Sequence, residues 1–163
     1  MTYIYRYQSP IGDMTAFSDG TALTALHFNG QKYSSGLLNE EYEEKMLPVF
    51  EQTRRWLDLY FDRKVPDFMP RIFLSGTQFR MEVWDILSKI PYGRTITYGD
   101  IAKQIARQRG IARMSAQAAG QAVGHNPVAI LIPCHRVVGT GGKLTGYAGG
   151  LDKKKALLEL EGI

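Results

Sequence analysis

Cysteine is nearly absent from this chain: Cys134 is the only one among 163 residues. A single thiol cannot form an internal disulfide, nor supply the several thiolates of a cysteine-based structural zinc site. Long apolar runs are missing too. None reaches the roughly 18 residues needed to cross a bilayer, so no membrane partner is expected. The start, Met1-Thr2-Tyr3-Ile4-Tyr5-Arg6, lacks the positive stretch and apolar block of a secretory leader. Repeats and low-complexity segments are also lacking. These absences point to a reducing, cytoplasmic setting, with no metal and no cofactor expected.

What is present is an ordinary globular composition, 44% hydrophobic and 22% charged, enough for one large domain or two small ones. The net charge of +4 is unevenly placed. Residues 1–75 hold eight Lys/Arg against ten Asp/Glu, whereas residues 76–163 hold twelve against six. Phosphate contacts supply most non-specific nucleic-acid affinity, which makes the second half the candidate for a polyanionic partner. A solvated surface with a few extra lysines accounts for the same split.

The first thirty residues read as β structure. Tyr3, Tyr5 and Tyr7 alternate with Ile4 and Arg6, and Ser9-Pro10-Ile11-Gly12 supplies a turn. Asp19-Gly20 between the runs Asp13 to Ser18 and Thr21 to Phe28 is a hairpin signal. Pro48 suits a first helical turn, and Val49, Trp56, Leu57, Tyr60 and Phe61 predict an amphipathic helix to about Asp62. Val65 to Ser75 carries two prolines and no period, and reads as a linker.

The second half reads as helices. Thr77 can cap a helix with the stripe Phe79, Val83, Ile86, Leu87 and Ile90, stopped at Pro91-Tyr92-Gly93. Thr97 can cap the next, which Gly110 breaks; Ser115 opens a short third, Ala116 to Val123. The pair around Gly110 has the form of a helix-turn-helix. Its second helix carries Ala116, Ala118, Ala119, Gly120 and Ala122. Such small residues suit either close packing in an interior or close approach to a groove. Arg107, Arg109 and Arg113 ahead of it favour phosphate. Val128 to Ile132 is expected to be a buried extended segment. A Gly-rich stretch, Gly139 to Gly150, leads to a last helix from about Asp152 to Leu160.

Cys134 lies in Pro133-Cys134-His135-Arg136-Val137. A reactive thiol needs a base or a positive field, which His135 and Arg136 can supply. Neighbouring side chains of an extended strand point to opposite faces. Coupling Cys134 to His135 therefore requires a bend after Pro133 or a bridging water.

This stretch resembles the acceptor-cysteine signature of the O6-alkylguanine-DNA alkyltransferases. The likeness spans about Phe79 to Glu161, including Thr97-Tyr98, Asn126-Pro127 and Gly146-Tyr147-Ala148-Gly149-Gly150-Leu151. It implies an α+β fold: a small ribonuclease-H-like antiparallel-sheet and helix domain with linker over 1–75, and a mostly helical DNA-binding, alkyl-acceptor domain over 76–163. It implies single-turnover transfer of an alkyl group from O6-alkylguanine, with O4-alkylthymine as a second candidate substrate, in double-stranded DNA to Cys134. By the same resemblance, Glu161 orients His135, which deprotonates Cys134 through a water. Asn126 holds the active-site turn, and Tyr98 protonates the departing guanine. Tyr147, Ala148, Gly149 and Val137 line the base pocket. Ser115, Ala116, Gln117, Gly120, Arg113 and Arg136 meet DNA. The expected working form is a monomer able to cluster along DNA.

Many members of that family carry an arginine on the small-residue helix, inserted into the base stack. Here the position is Gln117, shorter and uncharged, which predicts slower or less stable extrusion of the target nucleotide. The zinc ligands of some relatives cannot exist with one cysteine. Two other classes stand beside the alkyltransferase: a non-catalytic lesion-recognising or regulatory DNA-binding protein of the same shape, and a cysteine hydrolase built on Cys134 and His135. His27, Trp56 and Trp84 read as structural, His125 as a weak DNA candidate, and Lys153-Lys154-Lys155 as a solvated helix start.

Overall fold

The structure, a computed structural model, describes residues 1–31 and 41–163. Two compact units are present: Met1–Leu74 together with Pro127–Ala129, and Ser75–Asn126 together with Ile130–Ile163. The chain thus contributes one short segment of its second half to the first unit, a departure from two contiguous stretches.

In the first unit, strands β1 (Thr2–Ser9), β2 (Gly12–Ser18) and β3 (Leu23–Phe28) pair antiparallel. A short β4 (Tyr42–Glu44) adds to the free side of β1 in parallel, giving the order β3-β2-β1-β4. The alternation of β1 divides its side chains between two faces. Ile4 packs with Phe17 and Ala25. Tyr5 stacks on Phe50, and Tyr7 on Phe61, of α1 (Pro48–Phe61). The Tyr7 hydroxyl also donates to Asp58 Oδ1 at 2.7 Å. Pro48 stands in the first turn of α1, where its missing N–H costs no hydrogen bond.

Three local features differ from the sequence expectation. The β2–β3 loop is wider than a two-residue Asp-Gly turn: Asp19 Oδ1 accepts from the backbone of both Thr21 and Ala22. The stretch expected to be a linker adds to β3, because Leu23 N donates to Arg71 O and Phe73 N to Leu23 O. The run Val128 to Ile132 is buried throughout, but only Val128 is extended, bridging Leu26; the chain then turns.

The second unit is mainly helical. Its helices are α2 (Gln78–Ser88), α3 (Tyr98–Arg109), α4 (Ala116–Gly124) and α5 (Leu151–Leu160). Thr77, Thr97 and Ser115 each accept a backbone N–H at their helix starts, and Thr97 forms a full capping box with Asp100. Gly110 ends α3 in the left-handed conformation at φ 66°. Val83, Leu87, Ile101 and Ile105 fill the core. The Trp84 indole donates to Ala122 O at 2.9 Å, fastening α4 to α2. A parallel pair not apparent from the sequence, β5 (Ile96–Thr97) with β6 (Val137–Val138), matches Ile96 to Val137. No helix among the described residues is long and apolar enough to cross a membrane.

Candidate active site

The turn that presents the cysteine is built by backbone geometry and one amide. Ile130 takes a left-handed φ of 69°, costly for a β-branched residue and of the order of 1–3 kcal/mol where such strain is held by its surroundings. Cys134 N donates to Ile132 O at 2.8 Å, and Asn126 Nδ2 donates to the same carbonyl at 2.7 Å. Cys134–Arg136 then form a single 3₁₀ turn. This is the bend after Pro133 that an extended chain would have lacked. β6 follows at once and pairs with β5, whose last residue caps the helix beginning at Tyr98. The short ladder thus fixes the chain entering Tyr98 against the chain leaving the cysteine turn.

The polar groups around this turn are almost sealed from solvent. Cys134 is 8% exposed and His135 0%. His135 Nε2 lies 2.5 Å from Glu161 Oε2, leaving Nδ1 as the ring atom for any proton transfer. Glu161 Oε1 accepts from Arg136 Nε at 2.8 Å and from Gly93 N at 2.9 Å. Burial alone would raise the Glu161 pKa, but His135, Arg136 and the Gly93 N–H hold it down at about 2. Burial pushes His135 below its ordinary value, against the pull of Glu161, which favours the neutral imidazole that a base must be.

Burial also pushes the Cys134 thiol up, while a hydrogen bond from Asn126, the charge of Lys154 and a hydrogen bond from Tyr147 oppose it. Lys154 was absent from the sequence-derived site, and the structure corrects that reading. Its neighbour Lys155 is exposed, whereas Lys154 is 0% exposed. Its ammonium donates to Thr145 O at 2.8 Å and Gly146 O at 3.3 Å, and lies 5.8 Å from the Tyr98 ring centroid. Burial lowers its pKa to about 8, with Cys134 acting in the opposite direction. No residue-type signal separates it from its two lysine neighbours; only helical phase relative to the buried Leu157 and Leu158 does.

The remaining sequence-derived residues fall into three settings. Val137 is fully buried, while Tyr98, Tyr147, Ala148 and Gly149 are half-buried. Ser115, Ala116, Gln117 and Arg113 are exposed at the start of α4. Lys103, Arg107 and Arg113 line a groove with Gly99, Met114 and Ala116. Gly120 faces the Tyr98 ring, 3.5 Å from where a Cβ would stand. Arg136 requires correction as a DNA contact. It is 8% exposed and committed to Glu161 and Ile90 O, with its guanidinium 5.7 Å from the Tyr92 ring centroid. Arg109 is likewise engaged, paired with Glu82 and over Phe79. His27 and both tryptophans are buried. His125 Nδ1 pairs with Gln121 O at 2.8 Å. Among the described residues, no group of three or more His, Cys, Asp or Glu could hold a metal ion.

Residues 78–163 match the DNA-binding domain of the 6-O-methylguanine DNA methyltransferases, and residues 2–70 their ribonuclease-like domain. The chain is 42% identical over 161 residues to the methylated-DNA–protein-cysteine methyltransferase of Mycobacterium tuberculosis, covering 99% of this chain and 93% of that protein. It is 41% identical over 165 residues to that of Methanosarcina acetivorans, covering 98% of each. The crystal structure of M. tuberculosis OGT in complex with DNA superimposes with a TM-score of 0.83 at 41% identity, covering 98% of this chain and 92% of that one. On these grounds the chain belongs to the 6-O-methylguanine DNA methyltransferase family.

Proposed function

We infer that this protein repairs alkylated DNA by direct reversal, moving an alkyl group from the O6 atom of guanine in duplex DNA onto Cys134. The observation that carries the reading is the buried Cys134 thiol, in a 3₁₀ turn shared with His135 and Arg136, both of which are bonded to Glu161.

The alkyl carbon is reached by in-line displacement, for which a thiolate is the strongest protein nucleophile. His135, aligned by Glu161, takes the thiol proton through a water. The new S–C bond forms as the C–O6 bond breaks, and the electron pair leaves with the guanine. Tyr98 protonates that leaving group, a contribution of about 10² to 10⁴ in rate for a placed acid, and solvent returns its proton. The target oxygen is buried in the duplex, so the nucleotide rotates out at a cost of a few kcal/mol. Tyr147, Ala148, Gly149 and Val137 receive the base. Arg113 and the groove with Lys103 and Arg107 meet phosphates, while Ser115, Ala116, Gly120 and Gln117 place α4 against the duplex. The product is a thioether with no route back, so each molecule acts once. It works as a monomer able to gather along DNA, in the cytoplasm, where a lone thiol stays reduced.

Intact mass after mixing with a duplex containing O6-methylguanine tests the reading. One added methyl group per chain, absent in Cys134→Ala, is the expected result. Binding without mass gain would instead indicate a lesion-recognising protein, and turnover of an ester or amide a hydrolase.

A further inference from the structure

We propose that Trp84 is a positioning residue for the transfer: its indole N–H, donated to the Ala122 carbonyl, fixes the end of α4 and, through Asn126, the turn that carries Cys134. This rests on the reading of Cys134 as the alkyl acceptor.

The composition of α4 gives it little to hold its own place. Helices lock together when the side-chain ridges of one fill the grooves of the next. Of the nine residues of α4 only Val123 is bulky and apolar, and the buried face is Ala119, Ala122 and Val123. Ridges that shallow resist turning and sliding weakly. The start of the helix is fixed locally, where Ser115 accepts from Ala118 N. At the other end His125 Nδ1 meets Gln121 O at 2.8 Å, a bond within the helix end itself.

Trp84 supplies the tie to another element. Its Nε1 donates at 2.9 Å to Ala122 O, which also accepts from His125 N at 3.2 Å. Last-turn carbonyls lack a partner four residues on, so they are open to a donor from outside the helix. The indole is 3% exposed and lies against Gly76, where a Cβ would stand 2.7 Å from the ring. So close a seat aims the N–H at one spot. One turn beyond Ala122 stands the buried Asn126, whose Nδ2 donates to Ile132 O, the carbonyl that also receives Cys134 N. Displacing the end of α4 therefore carries Asn126 and the acceptor turn with it, while the residues at the Ser115 end keep their cap. Loss of the Trp84 bond slows the chemistry and spares duplex binding.

Two replacements remove the donor. Trp84→Phe loses the N–H with part of the ring; benzothienylalanine installed at position 84 has sulfur in place of the N–H and keeps the ring volume, hence the packing. Single-turnover methyl transfer from an O6-methylguanine duplex is followed by intact mass across duplex concentrations. The rate at saturation should fall about tenfold in both, in line with the cost of a small misplacement of reacting groups, with the half-saturating concentration unchanged. Amide exchange read by mass spectrometry reports the same link without chemistry: peptides over 126–134 should exchange faster, and those of β1 and β2 at the wild-type rate. A wild-type transfer rate in the benzothienylalanine protein overturns the proposal. So does a rate loss accompanied by faster exchange throughout the chain, or by an equal rise in half-saturating concentration, since either makes Trp84 structural only. Failure of the wild-type protein to gain a methyl group would overturn the acceptor reading, while exchange over 126–134 still reports on Trp84.

Discussion

A few side chains set the pH range in which the fold persists. His27 is buried, with Gln31 on its Nδ1, and burial holds its pKa near 4 instead of 6.5. As the pH falls below 6.5 the unfolded chain takes this proton first, so stability drains between about 6.5 and 4. Glu161 is depressed from 4.5 to about 2. Its contribution is complete above 4.5 and lost as the pH falls toward 2. In urea titrations, His27→Gln should lose less stability than the wild type between pH 7 and pH 4.5, by on the order of 2 kcal/mol. Equal losses would show that His27 is not the titrating group. Glu161→Gln leaves Arg136 buried without its anion, and should cost about 3–5 kcal/mol at pH 7 and slow methyl transfer. At this scale Cys134 and His135 were legible from their own motif, while Asn126 and Glu161 came only from the family resemblance. Lys154 was not legible, because three consecutive lysines look alike until the helix is rotated into place.

At the level of elements, close approaches decide what the second unit tolerates. Gly76 precedes the Thr77 cap, and a Cβ there would sit 2.7 Å from the buried Trp84 ring. Trp84 in turn holds α4 through Ala122, so it cannot give way cheaply. Gly76→Ala should lower stability by about 1–3 kcal/mol, measurable as a reduced urea midpoint. Gly120 lies inside α4, where a Cβ would make an ordinary contact with Tyr98 at 3.5 Å. Gly120→Ala should therefore raise stability by up to about 1 kcal/mol. Gln117 is exposed in the first turn of α4. Gln117→Arg should tighten binding to a lesion duplex in a fluorescence titration; unchanged or weaker binding would argue against insertion from this position. Helix starts and stops were readable, since Thr77, Thr97, Ser115 and Gly110 act through bonds within a few residues. The β5–β6 pair was not, because Ile96 and Val137 are distant in sequence and too short a match to leave a pattern.

For the molecule as a whole, the twelve Lys/Arg against six Asp/Glu of residues 76–163 put the attraction for DNA in the second half. Affinity for undamaged duplex should fall steeply with salt, and Arg113→Ala should reduce the slope of log affinity against log salt by about one. Arg136→Ala should act differently. Its guanidinium is bound to Glu161 and Ile90, so the change should lower the melting temperature and leave the salt slope alone.

Local chemistry in the chain determined the helix caps, the hairpins, the amphipathic α1 and the candidate acceptor thiol, since each depends on residue type and short spacing. The tertiary structure alone decided which of three consecutive lysines is buried. It also turned Arg136 inward to a carboxylate, joined residues 71–73 to β3, and placed Pro127–Ala129 in the first unit. These outcomes depend on which groups lose their water together, a property of packed surfaces that no short stretch of sequence contains.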